Sequence, residues 1–579
     1  MEELRYDVVI AGASLGGVAA ALRASALGAK VCLLEASSWI GGQYSAQGLT
    51  RGDETEWING GTGATASYLD FRRRARAWYT TRFVLSEAGK KLAPFDPGAP
   101  DHRYVSNLRI SPRAAHETLL AMLAATTPRV TVTTETRVVA AQTSEGRVTA
   151  LVARAYDGAP ARYAASYFLD ATDLGELLAL ADVPHRLGAE SRADFGEPNA
   201  PAAAHANWIQ PITVPLALER RPDGENHTIP KPPGYDEMVA AHPFTMLFGA
   251  SGVFRVTGSD SLFNYRQFVA AANFADPSVR YDLTTINDAS NDYRTRSIPT
   301  GNPDLDAATV VAARARSLAY AYWLQTACPR DDGKGHGYPN LRVATEVFGT
   351  YDGCAPQPYI RESRRIVART TVRQQDIVTA GARANRFADS CGIGYYHLDM
   401  HTVEGMNGYD GASPKPFQIP LGALVSTTFE NLIPACKNLG VTHITNSAYR
   451  VHPIEWNTGE SAGALAAFCL KRSATPSGVL DQPPLLRELQ HELLSAGVPL
   501  YWWTDVPFGG AGDLFAHAQL AGVRGFITRP SALAFAANEP FGADERAAAD
   551  AAAGSPLPWP SGTLSRGDAA RFVVQHLGL

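Results

Sequence analysis

Paired cysteines are missing from this 579-residue sequence. The six cysteines are spread from position 32 to position 469, and no two of them form a C-x-x-C pair. Cys32 and Cys469 lie in apolar runs, where a cysteine behaves as a small core residue. This spacing provides neither a disulfide framework nor the ligand set of a zinc site.

Long apolar runs and a strong charge bias are also absent. No apolar stretch approaches the roughly 20 residues that a membrane-spanning helix needs. The formal net charge is −5, and 19% of the residues are charged, so neither nucleic acid nor an anionic membrane surface is expected as a partner. No basic leader pattern precedes the first apolar run, which makes the cytoplasm the expected location.

The strongest pattern lies at residues 7–35. An apolar run predicts a buried parallel strand, and a turn with Gly12, Ser14 and Gly17 follows it. An alanine-rich helix and a second apolar run then lead to Glu35. This order is that of a dinucleotide-binding unit, in which the turn approaches a pyrophosphate and the acid binds a ribose diol. Ser14 replaces the usual middle glycine, and a βαβ unit that binds nothing is the alternative.

Short elements follow this unit. Gly41 and Gly42, with Gln43 after them, permit close backbone approach to a flavin ring or a phosphate. Glycine-containing turns then separate several short apolar runs. The sequence predicts a helix at 112–126, strands at 130–134, 137–141, 147–153 and 161–169, and a second clear helix at 307–326.

Composition divides the chain into segments. Residues 184–416 are rich in Pro, Asn, Tyr and Arg with few periodic runs, which indicates a substrate domain inserted into a nucleotide-binding domain. The predicted boundaries are 1–183 and 417–472 for the two parts of the nucleotide domain, 184–416 for the insert, 473–484 for a linker, and 485–579 for a small helical C-terminal module.

The combined pieces resemble one family. The glycine turn, the strands ending in Asp170-Ala171-Thr172 and the late helix at 458–463 resemble FAD-dependent oxidoreductases of the glutathione-reductase/fumarate-reductase type. The segments 262–293, 359–366 and 431–463 narrow this to the broad bacterial FAD-dependent oxidoreductases, over residues 5–472. The resemblance implies FAD and an α/β fold: a three-layer, Rossmann-like FAD-binding domain with a parallel sheet and a β-meander, plus the insert.

The resemblance also implies cofactor-binding residues. The late helix is predicted to begin at Thr458 and to present its N-terminus to the flavin N1–O2 edge. Asp173 stands where relatives have a glycine. The cofactor-binding residues are predicted to be Gly12, Ser14, Gly17, Glu35, Gly41, Gly42, Gln43, Val138, Asp170, Ala171, Thr172, Thr458, Gly459, Ala462 and Gly463.

Two missing motifs exclude some electron donors and acceptors. Relatives with a redox dithiol carry cysteines after the glycine pair, and here Gln43, Tyr44 and Ser45 follow it, so disulfide reduction is not expected. No second glycine turn with a following acid or arginine indicates an NAD(P)H site. Electrons are therefore expected to enter from a small organic substrate and to leave to oxygen or another acceptor.

Histidines and arginines are the catalytic candidates. His443 precedes the flavin helix and is the first candidate for proton acceptor, and His401 is the second. A single histidine is more often structural, and the alternation of His397, Asp399 and His401 also resembles a weak metal site, although no metal is predicted. Arg361 and Arg450 are the predicted catalytic charges; the alternative, equally open, is that Arg361 and Arg364 pair with Glu362 and aspartates inside the fold. The substrate-binding residues are predicted to be Tyr265, Asn291, Tyr293 and Arg364.

Three functions remain open. The first is oxidation of a CH–OH or CH–NH group in a polar, sugar-like or natural-product molecule. The second is reduction of an activated double bond. The third, indicated by a loose resemblance of the C-terminal module to an S-layer-homology unit, is a wall- or partner-binding protein with an inert flavoprotein body. The oligomeric state, a homo-oligomer included, stays open.

Overall fold

The computed structural model describes residues 2–98, 106, 108–246, 251–257, 260–406, 408, 413–510 and 513–579. Its strands are β1 Glu3–Arg5, β2 Val8–Ala11, β3 Val31–Leu34, β4 Thr131–Thr133, β5 Thr136–Ser144, β6 Arg147–Ala155, β7 Ala161–Ala164, β8 Tyr167–Asp170, β9 His185–Arg186, β10 Leu216–Arg220, β11 Gln267–Val269, β12 Asp282–Ile286, β13 Leu341–Val343, β14 Arg365–Ile366, β15 Ser390–Gly394, β16 Phe417–Pro420 and β17 Leu432–Pro434.

The α-helices follow the same order along the chain. They are α1 Leu15–Ala26, α2 Ala66–Thr80, α3 Glu87–Lys90, α4 Pro112–Ala124, α5 Glu176–Leu180, α6 Arg192–Phe195, α7 Tyr235–Ala241, α8 Leu262–Tyr265, α9 Pro303–Thr326, α10 Gln374–Ile377, α11 His443–Tyr449, α12 His452–Arg472, α13 Pro476–Asp481, α14 Pro483–Ser495, α15 Leu514–Arg524, α16 Ala543–Ala553 and α17 Arg566–Leu577.

A five-stranded parallel sheet forms the centre of the fold. Its strand order is β17-β8-β2-β3-β4. All four residues of β2 and of β3 are buried, as expected for parallel strands covered on both faces. Val8 and Ile10 pack in the core that includes α1 and α12, whereas Val9 and Ala11 pack against the strands of a second sheet. The sheet is therefore the middle of three layers.

The second sheet is the predicted meander. Strands β7, β6 and β5 pair antiparallel in order, and β1 adds to β7 in parallel. The prediction of one strand at 161–169 is wrong, because the chain leaves this sheet after Ala164 and enters the central sheet at Tyr167. The meander and the three-layer Rossmann-like fold are confirmed.

The middle of the chain has a core of its own. The four-stranded sheet β11-β12-β10-β13 packs with α9, and the buried apolar residues of this core run from Ile212 to Ile360. Helix α9 begins at Pro303, four residues before the predicted start. Asn302 caps it, since its side chain accepts the N–H groups of Asp304 and Leu305, and proline is favoured in the first turn.

The chain returns to the first core earlier than 416. Strand β15 pairs with β16, and Val372, Ile377 and Cys391 belong to the core around the central sheet. The C-terminal helices also bury apolar residues in that core, for example Leu489 and Trp503. Helix α13 occupies half of residues 473–484, the segment that the sequence predicts as a linker.

Helix α12 differs from the prediction in where it begins. It begins at His452 after the cap residue Val451, so a start at Thr458 is wrong. A Cβ on Gly459 would lie 2.0 Å from the carbonyl oxygen of Gly16, and one on Gly463 would lie 2.2 Å from that of Ala20. These glycines therefore allow α12 to pack closely against α1.

Within the described ranges, no helix combines the length and the apolar character that crossing a bilayer requires.

Candidate active site

The N-terminus of α1 has the geometry of a phosphate-binding turn. Gly12 has φ +90°, and a Cβ there would lie 2.4 Å from the Ala171 carbonyl oxygen. A Cβ on Gly17 would lie 2.1 Å from the Gly12 oxygen. Ser14 caps the helix, since its Oγ accepts the Gly17 N–H at 3.3 Å. The cap gives a physical reason for serine at the unusual position, and it leaves the N-terminal dipole of α1 available to an anion.

Glu35 lies at the end of β3 beside this turn. Its Oε2 accepts the N–H of Ala13 at 2.8 Å, and its Oε1 accepts the N–H and Oγ–H of Ser37, each at 2.8 Å. Burial raises the pKa of Glu35, while these bonds lower it in part. The carboxylate keeps lone pairs for a further donor such as a ribose hydroxyl.

A buried ionic group joins the starts of α1 and α12. Lys437 Nζ lies 2.5 Å from Asp173 and 3.3 Å from Glu455 Oε2. Glu455 Oε1 accepts the N–H of Gly16 at 3.3 Å, and Gln43 donates to the other oxygen of Glu455. Asp173, the departure from the family pattern, therefore serves as the partner of a fully buried lysine.

Several buried amide atoms in this region have no hydrogen-bond partner in the described part of the chain. Among the described residues, neither amide atom of Gln47 has a hydrogen-bond partner, and the same holds for Oε1 of Gln43 and Oδ1 of Asn446. A buried polar group without a partner costs about 1–3 kcal/mol, so a polar group from outside the chain is expected here. Together with the α1 turn and Glu35, these atoms fit FAD.

The other predicted cofactor residues lie in several different parts of the fold. Asp170 ends β8, and its carboxylate accepts the N–H groups of Thr172 and Leu178; burial raises its pKa to about 6. Val138 lies on β5 and packs against the meander core. Thr458, Gly459, Ala462 and Gly463 are buried along the middle of α12, not at its start.

The start of α12 carries a neutral histidine. His452 Nδ1 accepts the backbone N–H of Asp53 at 3.1 Å. Burial lowers the pKa of His452 to about 3. The positive character at this helix start therefore comes from the helix dipole and from Arg450 just before it, not from the imidazole.

Arg450 begins a chain of ion pairs that includes one of the predicted bases. Arg450 Nη2 lies 2.7 Å from Asp399 Oδ2, which lies 3.5 Å from His401 Nε2. His401 Nδ1 lies 2.5 Å from Asp292 Oδ2, and Arg361 lies 3.0 Å from the other oxygen of Asp292. Three of the four predicted catalytic residues are thus brought together.

His401 has a shifted titration and remains accessible. Burial and Arg361 lower its pKa, but Asp292 and Asp399 outweigh them, so the pKa lies above its usual value. The side chain of His401 is 18% exposed and that of Asp399 is 30% exposed. Both side chains are therefore partly open to solvent.

Tyrosines and a third ion pair belong to the same region. Arg266 pairs with Asp53 at 3.3 Å and donates to the hydroxyl of Tyr265 at 3.4 Å. Burial raises the pKa of Tyr265 to about 12; Arg266 opposes this rise, and Asp53 and Asp399 add to it. Burial, and then the carboxylates of Asp53 and Asp399, raise the pKa of Tyr396 well above 10.

Tyr359 connects the two arginines. Its hydroxyl accepts from Arg450 at 2.5 Å, and the Arg361 guanidinium lies 4.9 Å from its ring centroid. Burial raises the pKa of Tyr359, so it stays a neutral phenol. Three arginine–aspartate pairs make the cluster electrically balanced when His401 is neutral and leave one positive charge when His401 is protonated.

Sequence reasoning missed four members of this cluster. Asp292 and Tyr359 lie near predicted residues, inside segments on which the family resemblance rests. The segments were therefore identified, but these two residues were not chosen as site residues. Asp53 and Tyr396 had no such signal, because they come from loops whose positions depend on the tertiary structure.

His443 lies in a separate buried cluster. Its Nδ1 lies 2.8 Å from Glu362 Oε1, and its backbone N–H donates to Glu190. Arg365 bridges Glu362 and Glu190, at 2.5 and 2.9 Å. The side chain of His443 is 1% exposed. Gln210 links the two clusters, as its N–H donates to Glu362 and its Oε1 accepts the N–H of His401.

The predicted substrate residues lie in different places. Asn291 accepts the N–H of Asp288 and is buried. Tyr293 packs partly buried against the second core. Arg364 donates to the carbonyl oxygen of Leu174, on the side of the fold where β8 ends. Of the four predicted residues, Tyr265 is the one with direct contacts in the His401 cluster.

A metal site is not found at the alternating residues. His397 is 65% exposed, and its Nε2 lies 3.9 Å from Asp399. Over the described ranges, no group of three or more His, Cys, Asp or Glu side chains has the arrangement of a metal site.

Comparison with known families identifies one match. A family model described as FAD dependent oxidoreductase matches residues 7–493. The matched region begins just before β2 and ends within α14, so it includes both clusters and the α1 turn. No curated protein matches the sequence.

Solved structures resemble the chain weakly. This chain spans 23% of L-proline dehydrogenase from P. horikoshii, with 30% of its own residues aligned, 14% identity and a TM-score of 0.18. A geranylgeranyl bacteriochlorophyll reductase-like protein from Thermoplasma acidophilum is 11% identical over 100% of this chain and 99% of its own, with a TM-score of 0.31. The p-nitrophenol 4-monooxygenase from Pseudomonas putida is 11% identical over 90% of this chain and 95% of its own, with a TM-score of 0.33. Such values carry no argument about activity.

Proposed function

Because the chain belongs to the family of FAD-dependent oxidoreductases, we propose that it oxidises a CH–OH or CH–NH group of a polar small molecule, with His401 as proton acceptor. FAD, when bound, accepts the hydride. The observation that carries the proposal is the position of His401 between Asp292 and Asp399, one ion pair away from the start of α12.

The contacts of His401 define its role. The Nδ1 contact with Asp292 has hydrogen-bond length, so Nδ1 holds the proton of the neutral ring and Nε2 keeps a lone pair. A base oriented by a carboxylate in this way is ready to take the heteroatom proton as the hydride leaves. The imidazolium that results is stabilised by both aspartates.

Other residues would hold the cofactor. The α1 turn at Gly12 and Ser14 would bind the pyrophosphate, and Glu35 would bind the adenosine ribose. Gln47, whose amide has no partner among the described residues, would supply a further hydrogen bond. The N-terminus of α12 and the neighbouring Arg450 would stabilise negative charge on the reduced flavin.

The charge balance bears on the substrate. The three arginines of the cluster are each paired with an aspartate, so no guanidinium is left over to bind a carboxylate. A neutral, hydroxylated molecule of sugar-like or natural-product type therefore suits the surroundings of His401 better than a strongly charged one. The electron acceptor, oxygen or another, stays open.

His443 remains the alternative base. Glu362 orients its ring as Asp292 orients that of His401, but the ring is almost completely buried and shares Glu362 with Arg365. The two histidines make a matched pair for mutagenesis, since each has Nδ1 on a buried carboxylate.

A second candidate reaction is reduction of an activated double bond. The observation in its favour is that protonated His401 adds one positive charge to three balanced arginine–aspartate pairs and is itself a proton donor. The third alternative, an inert flavoprotein body, does not agree with membership of an oxidoreductase family.

The test is reduction of the bound flavin under nitrogen. The panel contains D-glucose, myo-inositol, lactate and benzyl alcohol, together with the amines alanine and benzylamine. Bleaching of the oxidised flavin by one of these compounds supports the oxidation. Failure of the whole panel, combined with rapid reoxidation of chemically reduced enzyme by an enoate such as fumarate, would replace it with the second candidate.

A further inference from the structure

One ring nitrogen of His452 is a buried donor without an acceptor. The side chain of His452 is completely buried, and its Nδ1 accepts the backbone N–H of Asp53 at 3.1 Å. A neutral imidazole that accepts at Nδ1 carries its proton on Nε2. Over the described residues, this Nε2 has no hydrogen-bond partner. Because a buried donor without an acceptor is unfavourable, an acceptor from outside the chain is expected at this atom.

The first neighbour of His452 belongs to the phosphate-binding side of the site. The ring of His452 lies 4.4 Å from that of Tyr44, which ends the short 3-10 helix Gly42–Tyr44 after the glycine pair. A Cβ on Gly42 would lie 3.2 Å from the Cα of Ser14. Direct contacts therefore lead from His452 to the turn at the start of α1.

The second neighbour of His452 belongs to the ion-pair cluster. Asp53, whose N–H fixes Nδ1, pairs with Arg266 at 3.3 Å. Arg450, two positions before His452, pairs with Asp399 at 2.7 Å. His452 therefore lies where the phosphate-binding turn and the cluster around His401 meet. A dinucleotide whose pyrophosphate is held at the turn and whose ring extends toward the cluster passes this histidine.

The imidazole stays neutral around physiological pH. Burial lowers the pKa of His452 to about 3, and the carboxylate of Asp53 opposes this shift. Three cations lower it further: Arg266, Lys437 and Arg450. Burial also raises the pKa of Tyr44 well above 10, so the ring stacked on the histidine is an uncharged phenol. The Nε2–H group is therefore present unchanged on both sides of neutrality.

We propose that His452 binds the flavin ring of FAD, with its Nε2–H as a neutral hydrogen-bond donor to the N1–O2 edge. This inference rests on the proposed binding of FAD along the α1 turn, and not on His401 or on the identity of the substrate. Negative charge collects at that edge when the flavin is reduced, and a hydrogen bond to a charged acceptor is stronger than one to a neutral acceptor. His452 therefore stabilises the reduced flavin more than the oxidised flavin.

The first test measures the reduction potential of bound FAD without substrate. Asparagine ends at about the position of Nδ1 and glutamine at about that of Nε2, so His452→Asn keeps the acceptor for Asp53 and loses the donor, whereas His452→Gln keeps a donor. In His452→Asn, the preference for reduced over oxidised flavin should fall about threefold to thirtyfold, which lowers the potential by about 15–45 mV. His452→Gln should stay near the parent, and His452→Leu should repeat the decrease.

The pH dependence distinguishes a neutral donor from a cation. The difference in potential between the parent and His452→Asn should be the same at about pH 6 and about pH 8, because the imidazole has the same charge at both. A difference that is several times larger at the lower pH would show an imidazolium at the flavin and would overturn the neutral donor.

The matched control is His116→Asn. Nδ1 of His116 also accepts a backbone N–H, that of Ile40 at 3.0 Å, and its ring lies 5.3 Å from that of Trp39. Burial lowers the pKa of His116 as well, but its side chain is only half-buried. His116→Asn should keep the parent potential. An unchanged potential in His452→Asn and His452→Leu, or an equal decrease in His116→Asn, would overturn the role of His452.

The outcomes separate this inference from the proposed function. If the holoenzyme reacts neither with the substrate panel nor with the enoate, the proposed reactions fail, while the potentials still decide whether His452 binds the flavin. If the parent apoprotein takes up no FAD in a titration, the inference and the proposed function fail together.

Discussion

Nδ1 of His401 lies 2.5 Å from Oδ2 of Asp292. The pair comes from two loops that are 109 residues apart in the sequence, and its geometry orients the ring and stabilises its cationic form. The Nε2 atom lies 3.5 Å from Asp399, so the atom that takes up a proton also has a carboxylate beside it. The predictions below follow from this pair and from the packing that positions it.

Replacing Asp292 should move the pH dependence of flavin reduction. Asp292 is one of the two carboxylates that raise the pKa of His401, so Asp292→Asn lowers that pKa. The rate of reduction rises with pH as the base loses its proton, and in the variant this rise should occur at lower pH. Stopped-flow reduction across pH measures it. The control Asp276→Asn, at an exposed turn where the side chain bonds Ser278, should keep the parent profile, and an unshifted profile in Asp292→Asn would contradict the assignment.

Stability should fall on both sides of neutral pH. Asp292 and Glu362 both have pKa values below their usual range. Burial raises the pKa of Asp292, but the charge of Arg361 is the largest of the effects that outweigh it. Burial likewise raises the pKa of Glu362, and His443 is the largest of the opposing effects. Their stabilisation is present above their unfolded pKa values of about 4 and is lost as the pH falls below them. His401, with its raised pKa, stabilises the fold below about pH 6.5 and loses this contribution as the pH rises through its folded value.

Calorimetry of the parent and of His401→Asn checks this. The melting temperature should drop below about pH 4 in both proteins. The smaller decrease above about pH 6.5 should occur in the parent and be missing in the variant. A decrease above that pH in both proteins would assign it to another group.

The close packing of α1 and α12 predicts a severe effect at Gly459. A Cβ there would lie 2.0 Å from a backbone oxygen, so Gly459→Ala must push the helices apart, at a cost of about 1–3 kcal/mol or more. Lower melting temperature and weaker FAD retention are expected. Gly60→Ala is the matched control, because no atom lies within 4 Å of the added Cβ. Melting temperatures of the two variants within a degree of each other would refute the packing role.

Loss of the Glu35 carboxylate should weaken FAD binding. Glu35→Ala removes the acceptor of the Ala13 N–H in the turn and the proposed partner of the ribose. A charge-assisted hydrogen bond contributes about 1.5–3 kcal/mol, which corresponds to about ten- to a hundredfold in the dissociation constant. Titration of the apoprotein with FAD gives this value. Glu87→Ala, on an exposed helix, should bind like the parent, and parent-like affinity of Glu35→Ala would contradict the assignment.

The periodic parts of the fold were predictable from the sequence. The apolar runs of β2 and β3, the glycine turn and Glu35 fix a local unit whose parts interact over about 30 residues, so pattern alone locates it. The start of α12 was missed because Thr458 and Gly459 resemble a helix start, whereas the chain uses Pro453 in the first turn after the cap Val451. Gly459 and Gly463 are needed for close packing against α1. This contact joins distant segments, so no local sequence pattern reveals it.

The candidate site was only half predictable. His401, Arg361 and Arg450 were identified by residue type within suggestive segments, but their partners were not. Asp53, Asp292 and Tyr396 come from loops without periodicity, and tertiary structure alone brings them together. The choice between His443 and His401 depended on burial, which the sequence does not contain.

The most direct test of the account compares His401→Asn with His443→Asn. Anaerobic stopped-flow measures the rate of flavin reduction at saturating substrate, using the compound of the panel that reduces the parent fastest. The account predicts that His401→Asn slows reduction by about 10²–10⁴-fold with FAD still bound. It predicts that His443→Asn stays within a few-fold of the parent but melts at lower temperature, because Glu362 loses a buried partner. A reduction rate near that of the parent in His401→Asn, with the large loss in His443→Asn, would contradict it and make His443 the base.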